Sequence, residues 1–212
     1  DDIARSVVIL YDFDNSMEET YSAIHDAVDN FAKCARAWHI PSAGDVIDRK
    51  YHAGASRVVT RQKARPAIGQ PHPIKTNIQI PLLEAGKQRL AFMPERLLVF
   101  EPRAVGAVSY SDLNIDVDSQ GFVEEEGLPN DAQVVDHTWR YVNKKGGPDR
   151  RFKDNPRLPI ALYEDIHFSS TTGLNELFKV SRVGTGLPLK EAVERAAAIL
   201  TNPGEPRDQK AG

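Results

Sequence analysis

The apolar positions of this chain change period along its length. Val7, Val8, Ile9 and Leu10 form a continuous apolar run, which predicts a short buried strand over 6–12. The run meets Asp12, Asp14, Asn15 and Ser16, residue types that end strands and open helices. Ser16 and Glu19 have the S-x-x-E spacing of a capping box, and Glu18 adds negative charge at the positive helix end. From there Met17, Tyr21, Ile24, Val28, Phe31, Ala35 and Trp38 recur at alternating steps of four and three. That spacing predicts one long amphipathic helix through Trp38, ended by Pro41 and Gly44. Its stripe suits packing on a sheet. Self-association through the long helix is the other use, but a seam of only three heptads that mixes aromatic and small residues argues against it.

Residues 42–74 mix basic residues with Gly and Pro and predict a loop-rich connector with a short strand at 57–61. Beyond it the pattern shortens. Extended segments are expected at 76–80, 89–93, 96–100, 105–110, 114–117, 133–142, 158–163, 166–169 and 177–183. Turns at Pro94-Glu95 and Pro102-Arg103 separate three of them, and many short strands so spaced indicate an antiparallel sheet or partly open barrel. A final helix is expected over 188–200. Pro188 lies in its first turn, and Leu189, Ala192, Val193, Ala196, Ala197 and Leu200 form one apolar stripe. Residues 202–212 lack large apolar side chains and read as a disordered tail. Helices at the ends and strands in the middle make the fold class α+β. The organisation expected is an N-terminal strand–helix unit with its connector over 1–80 and a β-rich region with its helix over 81–201. The two are able to form one compact unit.

Composition narrows the chemistry. The chain has 212 residues and a net charge of −3, so attraction to nucleic acid or an anionic membrane would have to be local. Cys34 is the single cysteine, which removes a disulfide framework and a cysteine-rich metal site. It falls beside the helix stripe, where a half-buried, inert thiol is expected. No apolar run approaches the roughly 18 residues of a membrane span, and a cytoplasmic location is expected. The chain opens on Asp1, which reads as a piece of a longer protein.

The most distinctive stretch is W-R-Y-V-N-K-K-G-G-P-D-R-R-F-K-D-N-P-R, 139–157. Lys144, Lys145, Arg150, Arg151, Lys153 and Arg157 lie close together, with Trp139, Tyr141 and Phe152 between them. Lys and Arg neutralise phosphate or carboxylate charge while aromatic faces stack or anchor, and a Gly-Gly-Pro turn can offer backbone N–H groups to an anion. The plainer alternative is a strand–loop–strand whose aromatics enter the core and whose cations pair with Asp149 and Asp154. An anionic ligand, a nucleic acid or an acidic protein face is the partner this loop would take.

Asp12 and Asp14 at the end of a strand could hold a divalent cation through oxygen ligands. Such sites need further acidic residues at later strand ends, and the next ones, Asp26, Asp29, Asp45 and Asp48, fall on a predicted helix or loop. Strand ending and helix capping explain the same residues. His25, His39, His52, His72, His137 and His167 lack zinc spacing. His167 stands near Glu164, Asp165, Ser169 and Ser170, but strand alternation divides these between two faces. V-G-T-G-L at 183–187 lacks the lysine of a P-loop and reads as a hinge before the last helix.

The order of strands after about residue 87, followed by an amphipathic helix, is similar to the pleckstrin-homology-like architecture. There a bent sheet is plugged by a C-terminal helix. R-L-A-F-M-P-E-R-L-L-V-F-E-P-R-A-V-G-A-V-S-Y-S-D-L-N-I-D-V resembles the opening strands of bacterial domains of that type. K-C-A-R-A-W-H-I, V-G-A-V-S-Y-S-D-L, the run from His137 through Leu177 and K-V-S-R-V-G resemble an uncharacterised family of bacterial hypothetical proteins. That resemblance implies further small domains on the same chain and no particular activity. The D-x-D-N after the first strand is similar to the first acidic motif of PIN-like and NYN ribonucleases and to the D-x-D of haloacid-dehalogenase-like phosphatases. The reading adopted is a non-catalytic binding or scaffold module without a cofactor. A metal-dependent nuclease or phosphatase using Asp12 and Asp14 is the alternative.

Overall fold

A computed structural model describes residues 6–41 and 61–202. In chain order the first elements are β1 (Val7–Ile9), α1 (Asn15–Ala32), β2 (Ala37–Ile40), β3 (Gln62–Lys63), β4 (Arg65–Gly69) and β5 (Ile74–Thr76). Then come β6 (Ile80–Ala85), β7 (Gln88–Phe92), β8 (Arg96–Phe100), β9 (Val105–Ser109) and β10 (Asn114–Val123). The last are β11 (Gln133–Trp139), β12 (Arg157–Ser169), β13 (Asn175–Val180) and α2 (Gly186–Thr201). The fold is α+β, with mostly antiparallel sheets and two helices. One sheet runs β4-β6-β7-β8-β9, a second runs β10-β12-β13-β2-β3 with β11 also on β12, and β1 pairs with β5 in parallel.

The pairs β4–β6 and β2–β13 join residues on either side of position 80, as does the contact of α1 with α2. The N-terminal and β-rich segments therefore share one core. Tyr21, Ile24, Ala27, Val28 and Phe31 from α1 lie in it with Leu189, Ala192, Val193 and Ala196 from α2. Ile166, Phe168, Phe178 and Val180 enter it from the second sheet, and Leu83, Leu90, Phe92 and Leu97 from the first. No helix among the described residues is long and apolar enough to cross a membrane.

Several expectations are corrected. The strand at 7–9 is not buried: Val7, Val8 and Leu10 are 57%, 65% and 76% exposed. Among the described residues its one strand neighbour is the three-residue β5, and only Ile9 and the following Tyr11 and Phe13 reach the core. The cap of α1 is Asp14, not Ser16; Asp14 Oδ1 accepts the Met17 N–H at 2.8 Å, and its backbone is extended at φ −75° and ψ 164°.

The helix also ends at Ala32 rather than beyond Trp38. The Lys33 and Cys34 amides still close on the Asp29 and Phe31 carbonyls, but the next two are taken from outside: Asp131 Oδ2 accepts the Ala35 N–H at 2.7 Å and Ser181 Oγ accepts that of Arg36 at 2.9 Å. Residues 37–40 then add to the edge of β13, so Trp38 is a strand residue. Tertiary partners have overridden a helical period that continues in the sequence.

The segment 76–80 is not one strand, because Asn77 turns away to exchange hydrogen bonds with the backbone of Tyr11. The segments 158–163 and 166–169 are a single strand, β12, which pairs with β10 from Ile160 to Ser169. Leu200 is 39% exposed, outside the core stripe of α2. The strand expected at 57–61, the helix-ending Gly44 and the tail beyond 202 fall outside the described residues, apart from Arg61 and Asn202.

Candidate functional site

The loop from 139 to 157 leaves the end of β11 and returns at the start of β12, where Trp139 and Arg157 are register partners. Two short-range devices hold its stem. Arg140 donates its N–H to the Pro156 carbonyl at 3.1 Å. Asn155 continues the ladder with its side chain, accepting the Tyr141 N–H at 2.8 Å and donating to the Tyr141 carbonyl at 2.7 Å. Beyond this, Val142 and Pro148 form a bridge around the glycine turn.

Asn143 organises the tip. Its Oδ1 accepts the N–H of Lys145 at 2.8 Å and of Gly147 at 3.2 Å, and its carbonyl accepts that of Gly146 at 3.0 Å. Gly146 has φ +82°, a conformation that favours glycine. The turn was expected to present backbone N–H groups to an anion. That expectation is corrected, since these three donors are spent on Asn143.

The side chains divide into spent and unspent charges. Arg151 donates to Asp149 from its backbone N–H, from Nε and from Nη2, the last at 2.5 Å. The Arg151 guanidinium holds the Asp149 carboxyl below the ordinary carboxylate range. Lys144, Lys145, Arg150, Lys153 and Arg157 are all exposed. None forms an ion pair with a carboxylate among the described residues. Among the described residues the neighbouring carboxylate of Asp154 takes no cation either.

The aromatics also depart from the plainer alternative. Tyr141 and Phe152 do not enter the core. They stack on each other with centroids 3.9 Å apart and planes 13° from parallel, and they stay 39% and 43% exposed. Trp139 is half-buried at the strand end. The result is a pinned loop that carries a flat aromatic pair and five cations without acidic partners among the described residues.

Among the described residues, Asp12 and Asp14 gain no third carboxylate. Asp12 and Asp14 are exposed, and Asp14 is engaged in capping. Among the described residues no group of three or more His, Cys, Asp or Glu side chains is placed to hold a metal ion. His167 Nε2 lies 2.6 Å from Asn175 Oδ1, so the ring is directed at an amide rather than a nucleophile. Cys34 Sγ lies 3.4 Å from Thr185 Oγ1, and burial raises its thiol pKa.

Three buried polar features were not anticipated. His39, 4% exposed, meets Glu176 at 2.5 Å. Glu164 receives the backbone N–H groups of Gly184 and Gly186, which gives the V-G-T-G-L segment its role as a helix entry. Glu124, 2% exposed, is held by Arg36 and by the Tyr163 hydroxyl. Each joins residues at least 20 apart in sequence, so local spacing carried no signal of them. No protein-family model, curated protein or solved structure matches this chain.

Proposed function

We propose that this chain is a non-catalytic binding or scaffold module of pleckstrin-homology-like architecture that contacts an anionic partner through the basic 144–157 loop. The observation that carries the reading is the set of five exposed cations, Lys144, Lys145, Arg150, Lys153 and Arg157, with no carboxylate partner among the described residues. In a chain of net charge −3 this is a local excess that bulk solubility does not require. The stacked Tyr141 and Phe152 add an exposed flat surface on which a base, a sugar or an aliphatic stem can lie. The architecture is supported by a meander of antiparallel strands, β6 to β9, and by a C-terminal helix packed beside the second sheet.

Binding of this kind is electrostatic and screened within about 8 Å at physiological salt. It is tested by fluorescence anisotropy with a labelled single-stranded oligonucleotide and, separately, a labelled polyglutamate peptide. Affinity should fall steeply as salt rises from about 50 to about 200 mM. The triple variant Lys144→Glu, Lys145→Glu, Arg150→Glu should abolish it, with thermal stability nearly unchanged because exposed charges contribute little to folding. Absence of salt-sensitive binding to either probe, or equal binding by the folded triple variant, overturns the proposal.

A further inference from the structure

A second cluster, separate from the basic loop, gathers aromatic rings around a cation. Strand alternation sends Trp38, Phe122 and Tyr163 to the face of the second sheet opposite Ile166, Phe168 and Phe178, which face the helices. Trp38 stacks on Tyr163 with centroids 5.6 Å apart and planes 24° from parallel. Phe122 meets the same tyrosine edge to face at 5.4 Å. The Arg61 guanidinium lies 5.0 Å from the Trp38 centroid and 4.7 Å from the Phe122 centroid, so it is clamped between two rings with Tyr163 beside them.

The two arginines near this box are held differently. Arg36, 5.7 Å from the Trp38 centroid, is bound to Glu124 at 2.5 Å. The other oxygen of Glu124 accepts the Tyr163 hydroxyl at 2.8 Å. That carboxylate is therefore fully engaged. Arg61 has no ion pair or hydrogen bond among the described residues, and it is exposed. Among the described residues, only ring faces hold it.

We propose that the Trp38–Phe122–Tyr163 box is a binding site for a weakly hydrated organic cation, a guanidinium or a methylated ammonium, and that Arg61 occupies it in the free chain. The chemistry follows from the wall. Ring faces attract a cation through their quadrupole, most effectively for groups that lose little hydration on entering. With Glu124 engaged, the box offers no free carboxylate among the described residues to a compact, strongly hydrated ammonium or metal ion. Arg61, tethered two residues from the Lys63 that pairs with Trp38, acts as a competitor at high effective concentration. An external cation must displace it, so the site opens only when Arg61 is drawn away.

The test follows the indole N–H resonance of Trp38, identified by its loss in Trp38→Phe. Tetramethylammonium chloride, N-methylguanidinium chloride and sodium chloride are titrated at equal ionic strength into the wild type and Arg61→Ala. The expected result is a saturable shift with the organic cations and not with sodium. Half-saturation should be at least about tenfold lower in Arg61→Ala, and Phe122→Ala added to Arg61→Ala should abolish the shift. The better of the two organic cations identifies the ligand group. A folded Arg61→Ala protein with no saturable shift overturns the proposal, as does equal half-saturation with and without Arg61. Arg61→Gln is the second variant. If both unfold, Arg61 is a structural pin and the proposal fails.

Discussion

Glu164 accepts the backbone N–H of Gly186 at 2.6 Å through Oε1 and that of Gly184 at 2.6 Å through Oε2. A carboxylate from the middle of β12 thus caps a helix whose own N-cap residue, Thr185, makes no side-chain cap. It also places negative charge at the positive end of the α2 dipole. Glu164 is 2% exposed, so removing it leaves two amides in a site water barely reaches. Glu164→Ala should cost about 1.5–3 kcal/mol, the range for hydrogen bonds to a charged group. Glu164→Gln, which keeps one acceptor, should fall between. Urea unfolding measures both, and a loss below about 0.5 kcal/mol for the alanine would show the cap to be dispensable.

The partner of that contact explains the second glycine of V-G-T-G-L. A Cβ on Gly186 would come 2.8 Å from Ile166 Cγ1 and 3.0 Å from Val117 Cγ2. Gly186→Ala should therefore push α2 away from the sheet, at a cost of about 1–3 kcal/mol typical of overpacking. The check is a denaturation curve beside that of Gly127→Ala, where the added atom meets nothing within 4 Å. There the strain is backbone strain alone, at φ +97°.

Much of the fold was legible, and the reasons are local. The α1 stripe of Tyr21, Ile24, Val28 and Phe31 and the hairpin of β7 and β8 follow from periods that the core then honours. The end of α1 was not legible, because Ala35 and Trp38 keep the helical period while Asp131 and Ser181, about 100 and 145 residues on, take the amides. The run at 7–10 signalled strand propensity correctly and burial wrongly, since a neighbour of three residues cannot cover it. At the loop, charge excess was readable from composition. Which arginine is neutralised was not, because Asp149 lies within two residues of both Arg150 and Arg151 and grips only Arg151.

Phe31 sets the scale for the core. It is 1% exposed and meets Phe178 edge to face at 5.7 Å. Phe31→Ala should destabilise by about 3–5 kcal/mol. Leu200→Ala, at a position 39% exposed, should cost less than about 1 kcal/mol despite falling on the same sequence stripe as Leu189 and Val193. Equal losses would place the end of α2 in a buried interface.

Four tyrosines, Tyr11, Tyr21, Tyr110 and Tyr163, have phenols raised above their ordinary value of 10.0, chiefly by burial. Tyr21 donates to the Phe92 carbonyl at 2.9 Å and Tyr110 to that of Met93 at 2.5 Å, bonds that need the neutral phenol. The folded pKa exceeds the unfolded one, so this stabilisation is complete below pH 10 and is lost as pH rises beyond it. Phenolate absorbance from these residues should appear together with loss of far-ultraviolet dichroism. Their ionisation in a chain that stays folded would contradict the burial.

Asp149 makes the neighbours Arg150 and Arg151 unequal, and this yields the sharpest test of the basic loop. Arg151 is neutralised by a carboxylate that it grips with Nε and Nη2, whereas Arg150 meets no acid among the described residues. If binding to an anionic oligonucleotide depends on unspent charge, Arg150→Gln should weaken it and Arg151→Gln should leave it nearly unchanged. Asp149→Asn should strengthen it, because it releases Arg151. The salt dependence should steepen with it, by about 0.7 in the logarithmic slope for the one extra phosphate contact on a single strand. Acid should act in the same direction. The Asp149 carboxyl is held below its ordinary value of 3.8 by the Arg151 hydrogen bonds, so the pair persists above that value and is lost as pH falls through the lowered one. Anisotropy titrations of the three variants at fixed salt decide the matter. Equal weakening by Arg150→Gln and Arg151→Gln would show that Asp149 does not partition the charge. Weaker binding by Asp149→Asn would show that the carboxylate shapes the loop more than it shields it.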